Sequence, residues 1–278
     1  MALPPVNFDL TKPATVFIEK VSEAVGGIAK PWQMKRIAKA ETEVAQIRAL
    51  GQLELSEIEQ RGLERMVRQE ARRQENIESI TAKAIPEIDE SSKPEELELD
   101  WLNRFFEHAK DVSNEEMQSV WAKILSQKTK SPELFSLKTL ELVSLMDRSD
   151  ADLFTKFCET VWMFVVPTSI IFETKGERGD YFGISFEDIN HLDAIGLISF
   201  SSSSSYIKHG KGNIIRIFYY GSPIEISFGN AESFTIRTGC AKLTRAGEEL
   251  CRIAGSKPSR SLYEKTIGLW IEDGHTVS

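Results

Sequence analysis

The run from Asp100 to Cys158 constrains the fold most, because its apolar residues recur at three- and four-residue steps throughout. Trp101, Leu102, Phe105, Phe106 and Ala109 make one stripe, and Met117, Val120, Trp121, Ile124 and Leu125 make a second. That spacing is the signature of helices that bury one face. Ser113 with Glu116 predicts a capping box at the second helix start, since a side-chain oxygen there satisfies an orphan N–H. Ser149 with Asp152 predicts a similar box before Leu153, Phe154, Phe157, Cys158, Val161 and Trp162. A further helix is expected after Pro132, with Ser136 as its N-cap and Leu137, Leu140, Val143 and Leu145 inside. Together these signals predict a central four-helix core over residues 100–162, with Trp121 fully packed in it. They are folding signals and name no chemistry.

Two or three folding units are expected of a chain of 278 residues. Its net charge of -8 argues against generic nucleic-acid binding, which relies on clustered Lys and Arg. The three cysteines, Cys158, Cys240 and Cys251, are too few and too scattered for a disulfide framework or a zinc site, and suggest a reducing compartment. No stretch approaches the roughly 20 apolar residues of a membrane span, and the N-terminus carries Pro4, Pro5 and Asp9 where a signal peptide needs a basic and then an apolar run. A cytoplasmic protein is expected.

Ahead of the core, Phe17, Ile18, Val21, Ala24, Val25 and Ile28 predict a short amphipathic helix ending near Gly26-Gly27 and Pro31. With Trp32, Lys30, Lys35 and Arg36 it could lie on a membrane surface through residues 14–37, but Glu19 and Glu23 oppose anionic lipid, and docking against protein is the better reading. Residues 38–85 hold no proline and read as one long charged helix. Val44, Leu55, Met66 and Ile77 stand eleven apart, as do Ile47 and Ile58, and Gly51 and Gly62. An eleven-residue repeat keeps one face in register, and small residues on it permit close helix approach, so this face is a candidate oligomer seam. Arg61, Arg65, Arg68, Arg72 and Arg73 are read as a solvated face, with nucleic-acid contact as the lesser reading. Residues 1–86 are thus expected as an N-terminal helical arm. The acidic, two-proline stretch 87–99 is expected as a linker.

After residue 162 the texture turns to β. A short helix with Ser185 as cap and Phe186, Ile189, Leu192 and Ile195 in the core is followed by strand 197–200 and a serine loop, Ser201–Ser205. Ile214–Tyr220 and Ile224–Phe228, joined through Gly221-Ser222-Pro223, predict a hairpin. Ala241–Thr244 predicts a last strand, with Thr244 capping a helix through Leu250. The order of Ile195-Gly196-Leu197-Ile198, strands, and Leu243-Thr244-Arg245-Ala246-Gly247-Glu248-Glu249-Leu250 resembles winged-helix domains. The resemblance implies a recognition helix at 186–195 and an enlarged wing between the two signatures, within an α+β domain at 163–256 and ahead of a tail at 257–278. That helix carries Glu187, Asp188 and Asp193 with no Lys or Arg, so duplex phosphate repels it; Lys208 and Lys211 in the wing remain candidate backbone contacts.

The runs Val112-Ser113-Asn114-Glu115-Glu116-Met117-Gln118, Trp121-Ala122-Lys123-Ile124-Leu125 and Phe135-Ser136-Leu137-Lys138-Thr139-Leu140, with Gly196-Leu197-Ile198, resemble an uncharacterised bacterial family related to the Abi-alpha abortive-infection proteins. The resemblance implies a role in phage defence and brings no catalytic residues with it.

The chemistry-bearing residues do not assemble in the sequence. His108, His191, His209 and His275 are isolated; His191 has Asp188 and Asp193 near it, a weak metal pattern. Gly210-Lys211-Gly212 lacks the spacing of a phosphate cradle. No catalytic residue, metal or cofactor is therefore expected. The sequence predicts a mainly α protein with a smaller α+β end. Its expected role is that of a non-enzymatic interaction module that self-associates and binds a protein partner in phage defence, through a seam at Val44, Ile47, Gly51, Leu55, Ile58, Gly62 and Met66. The alternative is a winged-helix DNA-binding regulator.

Overall fold

The computed structural model describes residues 11–26, 56–172 and 182–278. Over these residues the molecule is mainly α-helical, with a smaller β-rich part toward its C-terminus. It divides into two compact units, Met1–Leu140 and Glu141–Ser278. The division falls inside the run 100–162 that the helical periodicity suggested as one core.

In the first unit, helix α1 (Lys12–Ala24) starts at Thr11, whose hydroxyl accepts from the Ala14 N–H at 3.4 Å, and buries Ala14, Phe17 and Val21. That face lies against helix α3 (Leu99–Ala109) and the 3-10 turn Pro94–Glu96. Helix α2 (Glu57–Ala84) packs along helix α4 (Glu115–Lys130), and helix α5 (Leu137–Leu145) follows. Trp121 of α4 is fully buried, with Phe105 of α3 edge-on to it at 5.1 Å. Nearby, the Trp101 Nε1–H donates to the Phe135 carbonyl at 2.7 Å.

Several starts differ from the sequence expectation, each because a better cap lies close by. The expected helix over 38–85 is broken at Ser56, whose backbone is extended; there a capping box forms, with Ser56 Oγ accepting from the Glu59 N–H and the Glu59 carboxylate from the Ser56 N–H. Helix α4 is capped by Asn114 rather than Ser113, its side-chain oxygen accepting from the N–H groups of Glu116 and Met117. Helix α6 (Arg148–Cys158) is boxed by Asp147 with Asp150 rather than by Ser149 with Asp152. The stretch 87–99 is no exposed tether: Ile88, Ser92, Pro94 and Leu97 are buried, and the Lys93 N–H donates to the Thr129 carbonyl at 2.7 Å.

In the second unit α6 stops at Cys158, and the β-branched and aromatic residues beyond it extend. Val161 and Trp162, expected as helical, lie in strand β1 (Val161–Met163), paired antiparallel with β2 (Pro167–Ser169). Strands β5 (Ile214–Tyr219) and β6 (Ser222–Ser227) form the expected hairpin, turned earlier than expected at Tyr220-Gly221, both with positive φ, as a tight two-residue hairpin requires. With β9 (Thr276–Val277) they complete a sheet ordered β2-β1-β5-β6-β9. Strands β3 (Ile198–Phe200) and β8 (Ala241–Leu243) pair separately, as do β4 (Tyr206–Lys211) and β7 (Ser233–Gly239). Helix α7 (Phe186–Ala194) precedes β3, and helix α8 (Arg245–Cys251) follows β8.

The expected tail at 257–278 is integral to this unit. Helix α9 (Arg260–Glu272) buries Leu262, Thr266 and Trp270, four residues apart, and Trp270 meets Trp162 edge-on at 5.0 Å. Strand β9 then adds to β6.

Candidate interaction surfaces

One side of helix α2 is built in two styles. In its C-terminal half Asn76, Ile80 and Ala84 are buried along one row. The Asn76 amide donates to the Lys110 carbonyl at 2.8 Å and Ser113 Oγ at 3.3 Å, and its oxygen accepts from Gln118 Nε2 at 3.2 Å. The Gln118 oxygen in turn accepts from Ser79 Oγ at 2.7 Å and Lys83 Nζ at 3.0 Å. Asn76, Ser79, Lys83 and Gln118 thus partner one another, so the row is fixed in register as well as buried.

The same row runs on toward the N-terminus as Arg73, Met66, Gly62 and Ile58, and there it comes out into solvent. Arg73 marks the transition: Nε donates to Asp111 Oδ1 at 2.8 Å and Nη1 to Glu70 at 2.7 Å, and the guanidinium holds the Asp111 carboxyl below its ordinary range. Met66 is 55% and Ile58 75% exposed, and a methyl group built on Gly62 would touch nothing. Of the expected seam, Ile58, Gly62 and Met66 therefore share one exposed row. Val44, Ile47, Gly51 and Leu55 lie outside the described residues.

Arg61, Arg65, Arg68 and Arg72 follow steps of four, three and four, which puts them on an adjacent row, and all four are exposed. Arg61 Nε donates to the Glu57 carbonyl at 3.2 Å, and Arg68 lies 3.9 Å from Glu64 in a pair open to water. Such exposed pairs contribute little. The segment 14–37 is described only to Gly26; over that part the apolar face of α1 is turned into its own unit through Phe17 and Val21. Among the described residues no helix is long and apolar enough to cross a membrane.

The cationic groups of the second unit are mostly held within it. Lys208 Nζ sits 5.5 Å over the Phe164 ring and Lys242 Nζ 5.1 Å over Tyr206. Arg237 pairs with Asp273 through two bonds, at 3.0 and 2.6 Å, and Arg216 Nε donates to Glu225 at 3.0 Å. Lys211 is exposed at the end of β4. In helix α7 Ile189 and Leu192 are buried as expected, whereas Phe186 is 41% exposed and Ile195 half-buried. Phe186 rests edge-on against Phe200 at 5.9 Å, a contact at the rim rather than in the core. Glu187 faces solvent and Asp188 is half-buried, while Asp193 accepts from the Phe200 N–H at 3.0 Å.

The joint after α7 explains two signature residues. The Thr244 hydroxyl donates to the Gly196 carbonyl at 2.7 Å and accepts from the Gly247 N–H at 3.1 Å, so one side chain ties the turn to the start of α8. Gly247 approaches so closely that a Cβ would lie 2.1 Å from the Leu197 carbonyl oxygen.

His191, expected near Asp188 and Asp193, instead meets Asp150 of α6, with Nε2 to Oδ1 at 2.5 Å. Asp150 is buried and also accepts from the Asp147 N–H at 3.0 Å, so this pair fastens α7 to α6. The two residues are far apart in sequence, and no local pattern announces them. A shallow depression of about 220 Å³ opens between Phe172, Ser201–Ser205, Gly239 and Cys240. Its only thiol, that of Cys240, is buried and donates to the Ile171 carbonyl at 3.4 Å. Among the described residues no group of three His, Cys, Asp or Glu side chains converges as a metal set.

Fold and surfaces thus define a mainly helical, two-unit protein whose described residues offer a helix flank. The chain belongs to a family of proteins of unknown function, DUF2806, whose family model matches residues 60–267. The match begins inside α2, so it takes in most of the exposed row, and it ends inside α9. No curated protein and no solved structure matches the chain.

Proposed function

We propose that this protein is an interaction module that self-associates through the exposed N-terminal half of α2, within a phage-defence role of the abortive-infection type. The observation that carries the reading is the row Ile58, Gly62 and Met66 on a capped helix. Further along α2 the same row is packed against a helix of the protein itself, so its spacing already suits a helical partner. A second copy supplies such a helix, and Gly62 leaves room for its backbone to come close. The defence context rests on the resemblance of residues 100–255 to the family related to the Abi-alpha proteins. In this reading α2 acts as a helical arm of the first unit, and the second unit as a winged-helix-like domain that binds protein in the cytoplasm.

The regulator alternative has less support. Arg216 and Arg237 are committed to carboxylates, Lys208 and Lys242 to aromatic rings, and the helix that would enter a groove presents Glu187 and Asp188. Sedimentation velocity of the full chain over a concentration series tests the association directly; a dimer or larger species that gives way to monomer on dilution is expected. A single monomeric species throughout contradicts it. Duplex DNA added to the same cell separates the alternatives, because binding with a steep salt dependence would favour the regulator.

A further inference from the structure

Strands β4 and β5 run on from one another as one side of a bent ribbon. The Gly212 N–H donates to the Glu232 carbonyl at 2.9 Å, in register with the β4–β7 ladder. The Asn213 carbonyl accepts from the Phe228 N–H at 2.8 Å, in register with β5–β6. In an antiparallel ladder only alternate residues bond to the facing strand, so these two bonds sort the rest. Lys208 and Gly210 turn their backbone groups toward β7, whereas Ile207, His209 and Lys211 turn theirs away from it. The same parity turns Ile214, Arg216 and Phe218 of β5 outward, and Phe218 there meets Met163 of β1. On the opposite edge the outward Arg237 carbonyl accepts from Trp270 Nε1 at 3.4 Å, so α9 covers β7. Strand β4 has no such cover: among the described residues no strand pairs with its outer edge, and Ile207, His209 and Lys211 are exposed.

Charge on this edge has one sign. Strand β4 carries Lys208, His209 and Lys211, β7 carries Arg237, and neither strand holds an Asp or Glu. Arg237 is paired with Asp273, Lys208 is drawn over Phe164, and His209 Nδ1 lies 2.9 Å from Thr235 Oγ1, which leaves Lys211 free at one end among the described residues. At the other end Ile207 is 48% exposed. A second copy of the edge fits poorly, because β4 against β4 gathers the lysines of both chains. A strand that carries carboxylates is drawn to the same place.

We propose that the outer edge of β4 takes an extended, acidic segment of a partner protein as an added strand. Main-chain bonds to Ile207, His209 and Lys211 continue the β4–β7 ladder, and these supply affinity without regard to sequence. Side chains then select: a carboxylate of the segment meets Lys211, and an apolar residue four positions along meets Ile207 on the same face. Position 210 stays a glycine because a Cβ there would lie 2.3 Å from the Phe234 ring, so the ladder behind the edge is held closely. The proposal rests on the reading that the second unit binds protein, and it is independent of association through α2.

The experiment titrates the full-length chain into a fluorescent peptide of alternating valine and glutamate and reads anisotropy, with hydrogen exchange at single amides run on the same mixture. Binding is expected, with slower exchange at Ile207, His209 and Lys211 and no change at Lys208 and Gly210, whose amides are already bonded to β7. Methylating one alternate set of the peptide's amides should abolish binding and methylating the other set should spare it, since only every second amide faces the edge. Lys211→Glu, at an exposed position, should weaken binding by about tenfold, and a valine–lysine peptide should not bind. No binding, equal binding of the lysine peptide, or indifference to both methylations would overturn the proposal. Protection at another surface would overturn it while the protein-binding reading stands, whereas duplex DNA that protects these amides in place of the peptide would overturn that reading as well.

Discussion

The two halves of helix α2 carry one row of residues into opposite surroundings. From Asn76 to Ala84 the row is buried and its polar members are hydrogen-bonded; from Ile58 to Met66 it faces water. The anchored half is helical because packing rewards it. The free half has a capping box at Ser56 and good helix formers, yet it orders Gly62, which disfavours helix by about 1 kcal/mol relative to Ala, without burying much in return. On the proposed reading, this helix, capped at Ser56, charged on its flanks and apolar along a free row, takes its contact at Ile58, Gly62 and Met66.

The sharpest break between the halves is energetic. Trp121→Ala, in the core beneath the anchored half, is expected to lose about 3–5 kcal/mol, whereas Met66→Ser should stay within about 0.5 kcal/mol in the monomer. Thermal or urea melting of the two variants checks this; a wild-type melt for Trp121→Ala would place the tryptophan outside the core. Next in size, Asn76→Ala leaves the Lys110 carbonyl and the Gln118 amide short of a partner and should cost about 1–3 kcal/mol. A cost near zero would mean that burial alone, without the polar seam, fixes the row.

Ser56→Ala removes the cap of the free half and should cost about 1 kcal/mol of helix stability. Hydrogen exchange is expected to quicken in the first turns after Ser56 and to stay unchanged at residues 76–84; equal protection along the whole helix would mean the free half is held by more than its cap. The smallest effect belongs to the ion pair at the junction. Arg73 depresses the Asp111 carboxyl in the folded state, so the pair stabilises above the unfolded carboxylate pKa of about 3.9, and the contribution fades as pH falls through the lower folded value. Asp111→Asn should therefore melt slightly below wild type at neutral pH, with the gap closing under acid. A gap that widens in acid would refute the assignment.

Much of the fold was legible. The stripes of α3 and α4, the burial of Trp121, the Ser185 and Thr244 caps and the β5–β6 hairpin all follow from local periodicity and turn chemistry. The start of α2 was legible and misread: Ser56 with Glu59 is a capping box in plain spelling, but the eleven-residue repeat runs across it. Trp162 was drawn into a helix because its spacing continues that of Phe154 and Phe157, although the β-branched run beyond it favours a strand. Residues 257–278 look like a tail until Leu262, Thr266 and Trp270 are seen as a stripe.

What no local pattern carries is the pairing of distant side chains. Asn76 with Gln118, and His191 with Asp150, each depend on two elements meeting, and single-residue spacing contains no trace of the partner. For the exposed row the position was legible from Gly62 and Met66, whereas its abrupt change of environment at Arg73 was not, because that depends on where Asp111 ends its turn.

The most direct test of the account is static light scattering of the wild-type chain beside an Ile58→Asp, Met66→Asp double variant at matched concentration. The account predicts an oligomeric mass for wild type, a monomeric mass for the variant, and the same melting temperature for both once wild type is diluted to monomer. A monomeric wild type, or a double variant that keeps the wild-type mass, would contradict it.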